Sequence, residues 1–79
     1  MDNLNIGEQI KKKMVEDGRK VKWLANKINC SRNNIYRIYK LKHIDPELLI
    51  QICIHLEIDL FTIYSEYVKE EIRKKSNKA

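Results

Sequence analysis

The spacing of apolar residues along the chain is typical of short helices. From residue 6 onward, apolar side chains recur every four positions, on one helical face: Ile6, Ile10 and Met14, with Val15 beside Met14. Asn5 and Glu8 have the spacing of a capping box at the start of this segment, and Gly18 is the residue type that commonly follows a helix end. The pattern predicts helix 1 over residues 6–17.

Two further helices are predicted on either side of Asn29. Apolar residues spaced three and four apart predict helix 2 over residues 21–28. Asn29 follows, and asparagine tolerates the left-handed backbone conformation that a sharp turn requires. Ser31 is a preferred N-cap residue and predicts the start of helix 3, in which Ile35 and Ile38 are apolar positions.

Helices 4 and 5 are predicted in the second half of the chain. Asp45 followed by Pro46 indicates a helix start, because proline is favoured at the first helical position. Asp59 is placed to cap helix 5. The apolar positions of helix 5 are Leu60, Phe61, Ile63, Tyr64, Tyr67, Val68 and Ile72. From Arg73 onward the residues are charged and polar, which predicts a frayed tail over residues 73–79.

The length and composition favour one all-helical domain. A chain of 79 residues buries only about 60% of its unfolded surface, so its core is small. Two Gly and one Pro suit a helical bundle better than a sheet rich in turns. We predict a single all-α domain over residues 1–79, with its core over about residues 6–68. Helices 2 and 3 are joined by only about three residues, so they are expected to cross steeply, as in a helix-turn-helix.

The register of helices 2 and 3 resembles that of a known family. Ala25 is a small residue where the two helices approach, Asn29 is the turn residue four positions later, and Ile35 is an aliphatic residue ten positions later. Between Trp23 and Ile38 the chain contains Leu-Ala, Ser-Arg and Ile-x-x-Ile. These elements are similar to the core motif of the Cro/lambda-repressor-like (XRE) family, over about residues 6–68. The resemblance implies a compact five-helix lambda-repressor-like fold and DNA binding.

Two positions depart from the family pattern. The family usually begins helix 2 with Ser or Thr followed by a Gln that helps to hold a DNA phosphate, whereas this chain has Lys20 and Val21. The resemblance therefore implies a cationic phosphate clamp, with Arg19, Lys20 and Lys22 as candidates. The family's turn residue is usually Gly, and Asn29 meets the same backbone requirement less freely.

The charge of the chain favours a polyanionic partner. The 16 Lys and Arg exceed the 11 Asp and Glu, for a formal net charge of +5. The polar surface of helix 3 contains no acid, and an α-helix fits the DNA major groove with its N-terminal residues at the base edges. We expect base contacts from Arg32, Asn33, Tyr36 and Arg37. We expect phosphate contacts from Arg19, Lys20, Lys22, Ser31, Asn34 and Lys40.

Several of these features also have a simpler structural explanation. A basic helix face is more often solvated than functional, and we interpret the run Lys11–Lys13 in that way. Trp23 is expected to pack against a neighbouring helix, although a contact with the DNA backbone stays open. His43 and His55 are expected to be surface or satisfied core residues rather than ligands.

The sequence carries no motif for catalysis, metal binding or membrane insertion. Cys30 and Cys53 lie 23 positions apart, with no metal-ligand spacing to a histidine, which favours two reduced thiols. Since no glycine-rich phosphate loop or nucleophile–histidine pair is visible, we expect no enzyme, cofactor, metal or small-molecule ligand. No apolar stretch approaches the ~20 residues of a membrane span and no signal peptide is visible, which favours a cytoplasmic protein with no membrane partner.

Two functions from different classes fit this sequence. The first is a sequence-specific transcriptional regulator, expected to be a repressor, that binds double-stranded DNA and dimerises through helix 5. The residues expected at the dimer contact are Tyr64, Tyr67, Val68 and Ile72. The alternative is a protein-interaction module, such as an antitoxin or anti-repressor, that uses the same scaffold to bind a protein.

Overall fold

The computed structural model describes residues 4–77, and these residues form five α-helices. The helices are α1 (Ile6–Glu16), α2 (Val21–Lys27), α3 (Arg32–Tyr39), α4 (Pro46–Leu56) and α5 (Phe61–Asn77). The described residues contain no strand. The predicted all-α class is confirmed, and the predicted starts of the first four helices agree with the structure to within one residue.

The core is built from one apolar face of each helix. Helix α3 packs against both α1 and α2, and α2 also packs against α4. The most deeply buried side chains are Ile6, Ile10, Met14, Leu24, Ile35, Ile38, Leu49 and Ile52. Within the described residues no polar side chain is buried, so the fold is stabilised by apolar burial alone at its centre. Val15, which adjoins the predicted stripe of α1, is exposed instead.

The turn between α2 and α3 has the predicted backbone conformation. Asn29 has a φ of 57°, in the left-handed region that asparagine tolerates. The N–H of Cys30 then donates to the Ala25 carbonyl at 2.9 Å, which satisfies one of the carbonyls left open at the end of α2. Gly18 ends α1 in a similar way, with a φ of 67°.

The start of α1 differs from the prediction. The Asn5 side chain makes no capping hydrogen bond, so the predicted capping box with Glu8 is wrong. The first N–H groups of α1 are satisfied from a distant part of the chain, because Ile6 N–H donates to the Lys42 carbonyl and Gly7 N–H to the Leu41 carbonyl, each at 2.9 Å. This contact joins α1 to the segment between α3 and α4.

The predicted caps of the last two helices are present. The Asp45 carboxylate accepts a hydrogen bond from Leu48 N–H at 3.3 Å, and the Asp59 carboxylate accepts one from Phe61 N–H at 3.0 Å. Helix α4 itself ends at Leu56, and the residue after it, Glu57, has a φ of 54°. This left-handed turn was not predicted, because glutamate rarely adopts that conformation.

Helix α5 is longer than its apolar pattern suggests. It continues to Asn77, four residues beyond the expected start of a frayed tail at Arg73, and an ion pair between Glu70 and Arg73 supports this last part. Residues 78–79 of the predicted tail lie outside the described residues. Phe61, Ile63 and Tyr64 pack against the core, whereas all side chains from residue 68 to residue 76 are exposed. The second half of α5 therefore extends away from the bundle.

No single helix in the described range is long and apolar enough to span a membrane. Helices α4 and α5 meet the length and composition criteria only when taken together, and the chain bends by 119° between them.

Candidate nucleic-acid interface

Helix α3 has one buried face and one exposed face. Ile35 and Ile38 are fully buried and fix the helix to α1 and α2. The four residues predicted to contact bases are all exposed: Arg32, Asn33, Tyr36 and Arg37. They lie within about 140° around the helix axis, since successive residues turn by about 100°. The structure thus places these side chains on one surface of a helix that the core holds in position.

The N-terminus of α3 is capped as predicted. The Ser31 hydroxyl oxygen accepts a hydrogen bond from Asn34 N–H at 3.2 Å. The hydroxyl proton of Ser31 is not used by this cap and can still be donated to a phosphate oxygen. The Ser31 hydroxyl and the Asn34 N–H lie at the N-terminal end of α3, where the helix macrodipole favours negative charge.

Asn34 and Arg37 form one unit on the surface of α3. The Asn34 side-chain oxygen accepts hydrogen bonds from Arg37 Nε at 3.1 Å and from Arg37 Nη2 at 2.8 Å. These bonds restrict the rotamers of an exposed arginine and leave its other N–H groups for a ligand, because guanidinium has five donors. The sequence assigned the two residues to different roles and did not predict their contact.

Three cationic residues lie around the start of α2. Arg19, Lys20 and Lys22 are exposed, and the Arg19 guanidinium carbon lies 4.1 Å from the centre of the Trp23 ring. Lys27 approaches the same ring, with its Nζ at 5.9 Å. A cation–π contact of this kind holds the arginine close to the helix. The spacing of four residues on either side of Trp23 is a local signal for these contacts, which were not predicted.

The packing role predicted for Trp23 is also seen. Its side chain is half-buried and packs against the core. Trp23 thus packs against the core while two cations approach its ring.

A shallow groove runs between α1 and α3 next to the predicted interface. It is lined by Asn5, Glu8, Tyr36, Tyr39, Lys40 and two lysines that were not predicted to contact DNA, Lys11 and Lys42. Lys11 belongs to the run that was interpreted as a solvated face. Its approach to α3 depends on contacts between residues far apart in the chain, which the sequence pattern does not reveal.

The two tyrosines of this groove interact with each other. Their rings meet edge to face, with centroids 6.3 Å apart and an interplanar angle of 84°. Burial raises the pKa of the Tyr39 hydroxyl, and negative charge on Tyr36 raises this pKa further. Tyr39 therefore keeps its proton at neutral pH and can donate a hydrogen bond.

None of the histidines and cysteines is among the residues predicted to contact DNA. His43 Nδ1 and the Tyr64 hydroxyl are 3.1 Å apart, which links the segment after α3 to α5. His55 is half-buried. Cys30 and Cys53 are free thiols, and burial raises the pKa of the Cys53 thiol.

Charge is distributed unevenly along the chain. Residues 18–44, which include α2 and α3, contain eight of the 16 Lys and Arg and none of the 11 Asp and Glu. This segment carries a formal charge of +8, so the rest of the chain carries −3, because the total is +5. The positive field is concentrated on the helices that form the predicted interface.

Comparison with known protein families agrees with this geometry. The family model of a Cro/C1-type HTH DNA-binding domain matches residues 9–67, close to the span of the resemblance noted in the sequence. No curated protein and no solved structure matches the chain. The family match covers all of α2 and α3 and the whole of residues 18–44, which contain no acid. The chain belongs to the family of Cro/C1-type helix-turn-helix DNA-binding domains.

Proposed function

We propose that this domain recognises a specific double-stranded DNA sequence by placing α3 in the major groove, and that it acts as a transcriptional repressor by occupying its operator. The observation that carries the proposal is the exposed face of α3, where Arg32, Asn33, Tyr36 and Arg37 project from a helix fixed by Ile35 and Ile38. Arginine pairs with two acceptors of guanine and asparagine with adenine, and one such bidentate contact gives about 1–3 kcal/mol of discrimination.

Phosphate contacts orient α3 in this proposal. They come from the start of α2, the start of α3 and the residue after α3: Arg19, Lys20, Lys22, Ser31, Asn34 and Lys40. Arg19 is supported by its contact with Trp23, since a guanidinium already held against a ring loses less freedom on binding. Each phosphate neutralised by a cation contributes about 0.9 to the slope of log affinity against log salt.

A dimer through α5 is the second part of the proposal. A single small helix-turn-helix makes few base contacts, and two copies on half-sites about 34 Å apart increase the affinity. Of the four residues expected at this contact, Val68 and Ile72 are exposed apolar side chains. Tyr64 packs against the core and contacts His43, and Tyr67 is half-buried. The structure thus favours Val68 and Ile72 as the main contributors.

Binding selection from a random duplex pool tests the DNA part directly. We expect one enriched sequence, bound at least about a thousandfold more tightly than a scrambled duplex at the same salt concentration. Arg32→Ala and Arg37→Ala should each remove a large part of that preference. Lys12→Ala is the matched control, because it removes one positive charge from an exposed residue of α1 and should leave the preference unchanged.

The alternative function predicts a different result in the same experiment. Exposed apolar residues on α4 and α5, such as Ile54 and Ile72, favour a protein partner for that side of the molecule. If the scaffold served only to bind a protein, the selection would enrich no sequence, and binding would be weak and strongly salt-dependent for every duplex. That outcome would reject the proposed regulator.

A further inference from the structure

Helix α4 exposes an apolar stripe that no other part of the described chain covers. Ile50 is 48% exposed and Ile54 is 67% exposed, one turn apart on the same side of the helix. Ile58 and Phe61 continue the stripe to the start of α5, and together these residues line an open groove of about 470 Å³. A contiguous apolar patch of this kind on a charged molecule is typical of an interaction site.

The groove has a negative rim. Residues 45–60 contain four Asp and Glu and no Lys or Arg, and two of these acids, Glu57 and Asp59, line the groove itself. Such a surface disfavours DNA phosphates and anionic lipids. It suits a segment whose apolar residues are followed by positive charge.

The end of α5 has that chemistry. Val68 is 53% exposed and Ile72 is 59% exposed, and Lys75 follows on the same face of the helix. Residues 68–77 contain four Lys and Arg against two Glu, so this segment carries a formal charge of +2. The ten residues from 68 to 77 extend about 15 Å. A helical segment of that length is only marginally stable when it packs against nothing. It therefore gains stability when a surface covers Val68 and Ile72.

The position of the groove favours a second copy of the chain as its occupant. Phe61 is both the first residue of α5 and part of the groove, so the groove lies where α5 begins. When two α5 helices lie side by side and antiparallel, the end of each one reaches the start of the other. A second copy of the chain then fills both grooves at once, which is a closed two-fold arrangement.

We infer that the groove formed by Ile50, Ile54, Ile58 and Phe61 receives the end of α5 from a second copy of this chain, with Lys75 of each copy beside the acidic rim of the other. This inference rests on the proposed dimer and adds its acceptor surface on α4. Each copy contributes a groove and a helix end, so the interface contains every contact twice.

Sedimentation velocity of the full chain over a concentration series tests this arrangement. Ile54→Glu in the groove and Ile72→Glu on α5 should each raise the dimer dissociation constant by at least about tenfold, because a carboxylate is costly to bury in an apolar contact. Val15→Glu is the matched control, since Val15 is an exposed aliphatic residue of α1 and should leave the dissociation constant unchanged. Thermal unfolding of each variant verifies that the domain is still folded.

Two combinations of variants distinguish this interface from other dimers. An equimolar mixture of Ile54→Glu and Ile72→Glu chains should form heterodimers, because one groove and one helix end in such a pair are intact. Glu57→Lys and Lys75→Glu should each weaken the dimer, and the double variant should recover most of the lost affinity by exchanging the two charges.

The remaining outcomes overturn the inference in distinguishable ways. If Ile72→Glu is monomeric while Ile54→Glu stays dimeric, α5 pairs without the groove and the inference is wrong although the proposed dimer stands. A wild-type chain that stays monomeric at all concentrations rejects both the groove interface and the proposed dimer. A monomeric chain that binds phosphatidylglycerol vesicles through Ile54 shows that the groove serves a membrane surface instead. Sequence-specific recognition by α3 is measured separately, by the affinity for a single half-site duplex.

Discussion

At the scale of single residues, the contact between Asn34 and Arg37 changes what each side chain is expected to do. Both hydrogen bonds run from the arginine to one asparagine oxygen, so the direction of the guanidinium depends on Asn34. The sequence assigned Asn34 to a phosphate and Arg37 to a base edge. The structure adds a contact through which Asn34 restrains Arg37, and an arginine with fewer accessible rotamers loses less entropy when it binds a ligand.

A double-mutant cycle measures this dependence. We expect Arg37→Ala to cost about 1–3 kcal/mol of binding to the selected duplex. Asn34→Ala should cost a smaller amount in the wild-type background and less again in the Arg37→Ala background, where only the proposed phosphate contact of Asn34 is left to lose. Equal losses from Asn34→Ala in both backgrounds would show that Asn34 binds phosphate independently of Arg37. Duplex affinity measured by fluorescence anisotropy, with the unfolding temperature as a control, gives all four corners of the cycle.

At the scale of helices, the segments that were correctly predicted depend on local signals. Ser31 caps α3, Asn29 takes a positive φ and Asp45 caps α4, and in each case the partner is a few residues away in the chain. The start of α1 could not be predicted in this way, because its hydrogen-bond acceptors are the carbonyls of Leu41 and Lys42. The position of Lys11 in the groove beside α3 was not predicted for the same reason.

The approach of α1 to α3 explains why residue 7 is a glycine. A Cβ atom at this position would lie 2.3 Å from the Ile38 carbonyl oxygen and 2.6 Å from each of the carbonyl oxygens of Tyr39 and Leu41. These are backbone atoms, which cannot rotate away as the end of a side chain can. The close packing of the two helices therefore requires the absence of a side chain at Gly7.

Gly7→Ala should destabilise the domain by about 2–3 kcal/mol, because α1 must move away from α3 to admit the methyl group. Urea unfolding followed by circular dichroism measures the free energy of unfolding. Glu16→Ala near the other end of α1 is the control, and as an exposed substitution it should change that free energy by less than about 0.5 kcal/mol. An unchanged stability of Gly7→Ala would mean that α1 and α3 are further apart in solution.

At the scale of the whole molecule, the distribution of charge carries more information than the net charge. The total of +5 predicts only a weak attraction to polyanions. The segment from residue 18 to residue 44 carries +8, and residues 45–60 carry −4, so the two segments favour contacts of opposite charge. This separation was present in the sequence, but its meaning depends on the fold, which places α2 and α3 together at one surface.

Two lysines at different places in this field should contribute differently to DNA binding. Lys22→Gln should lower the slope of log affinity against log salt by about 0.9, since it removes one proposed phosphate contact. Lys74→Gln removes the same charge from the end of α5 and should change the slope by less than half as much. Titrations of a non-specific duplex at several salt concentrations measure both slopes. Equal changes would show that net charge alone determines the affinity.

The division of α3 into a buried face and an exposed face also has a consequence for how this domain can change over time. Ile35 and Ile38 provide the packing of α3, while Arg32, Asn33 and Tyr36 are exposed to solvent. Substitutions at exposed positions usually change stability by less than about 0.5 kcal/mol. The exposed surface of α3 can therefore change one residue at a time while the fold is kept. Duplicated copies of such a domain can diverge in this surface while they keep the same core.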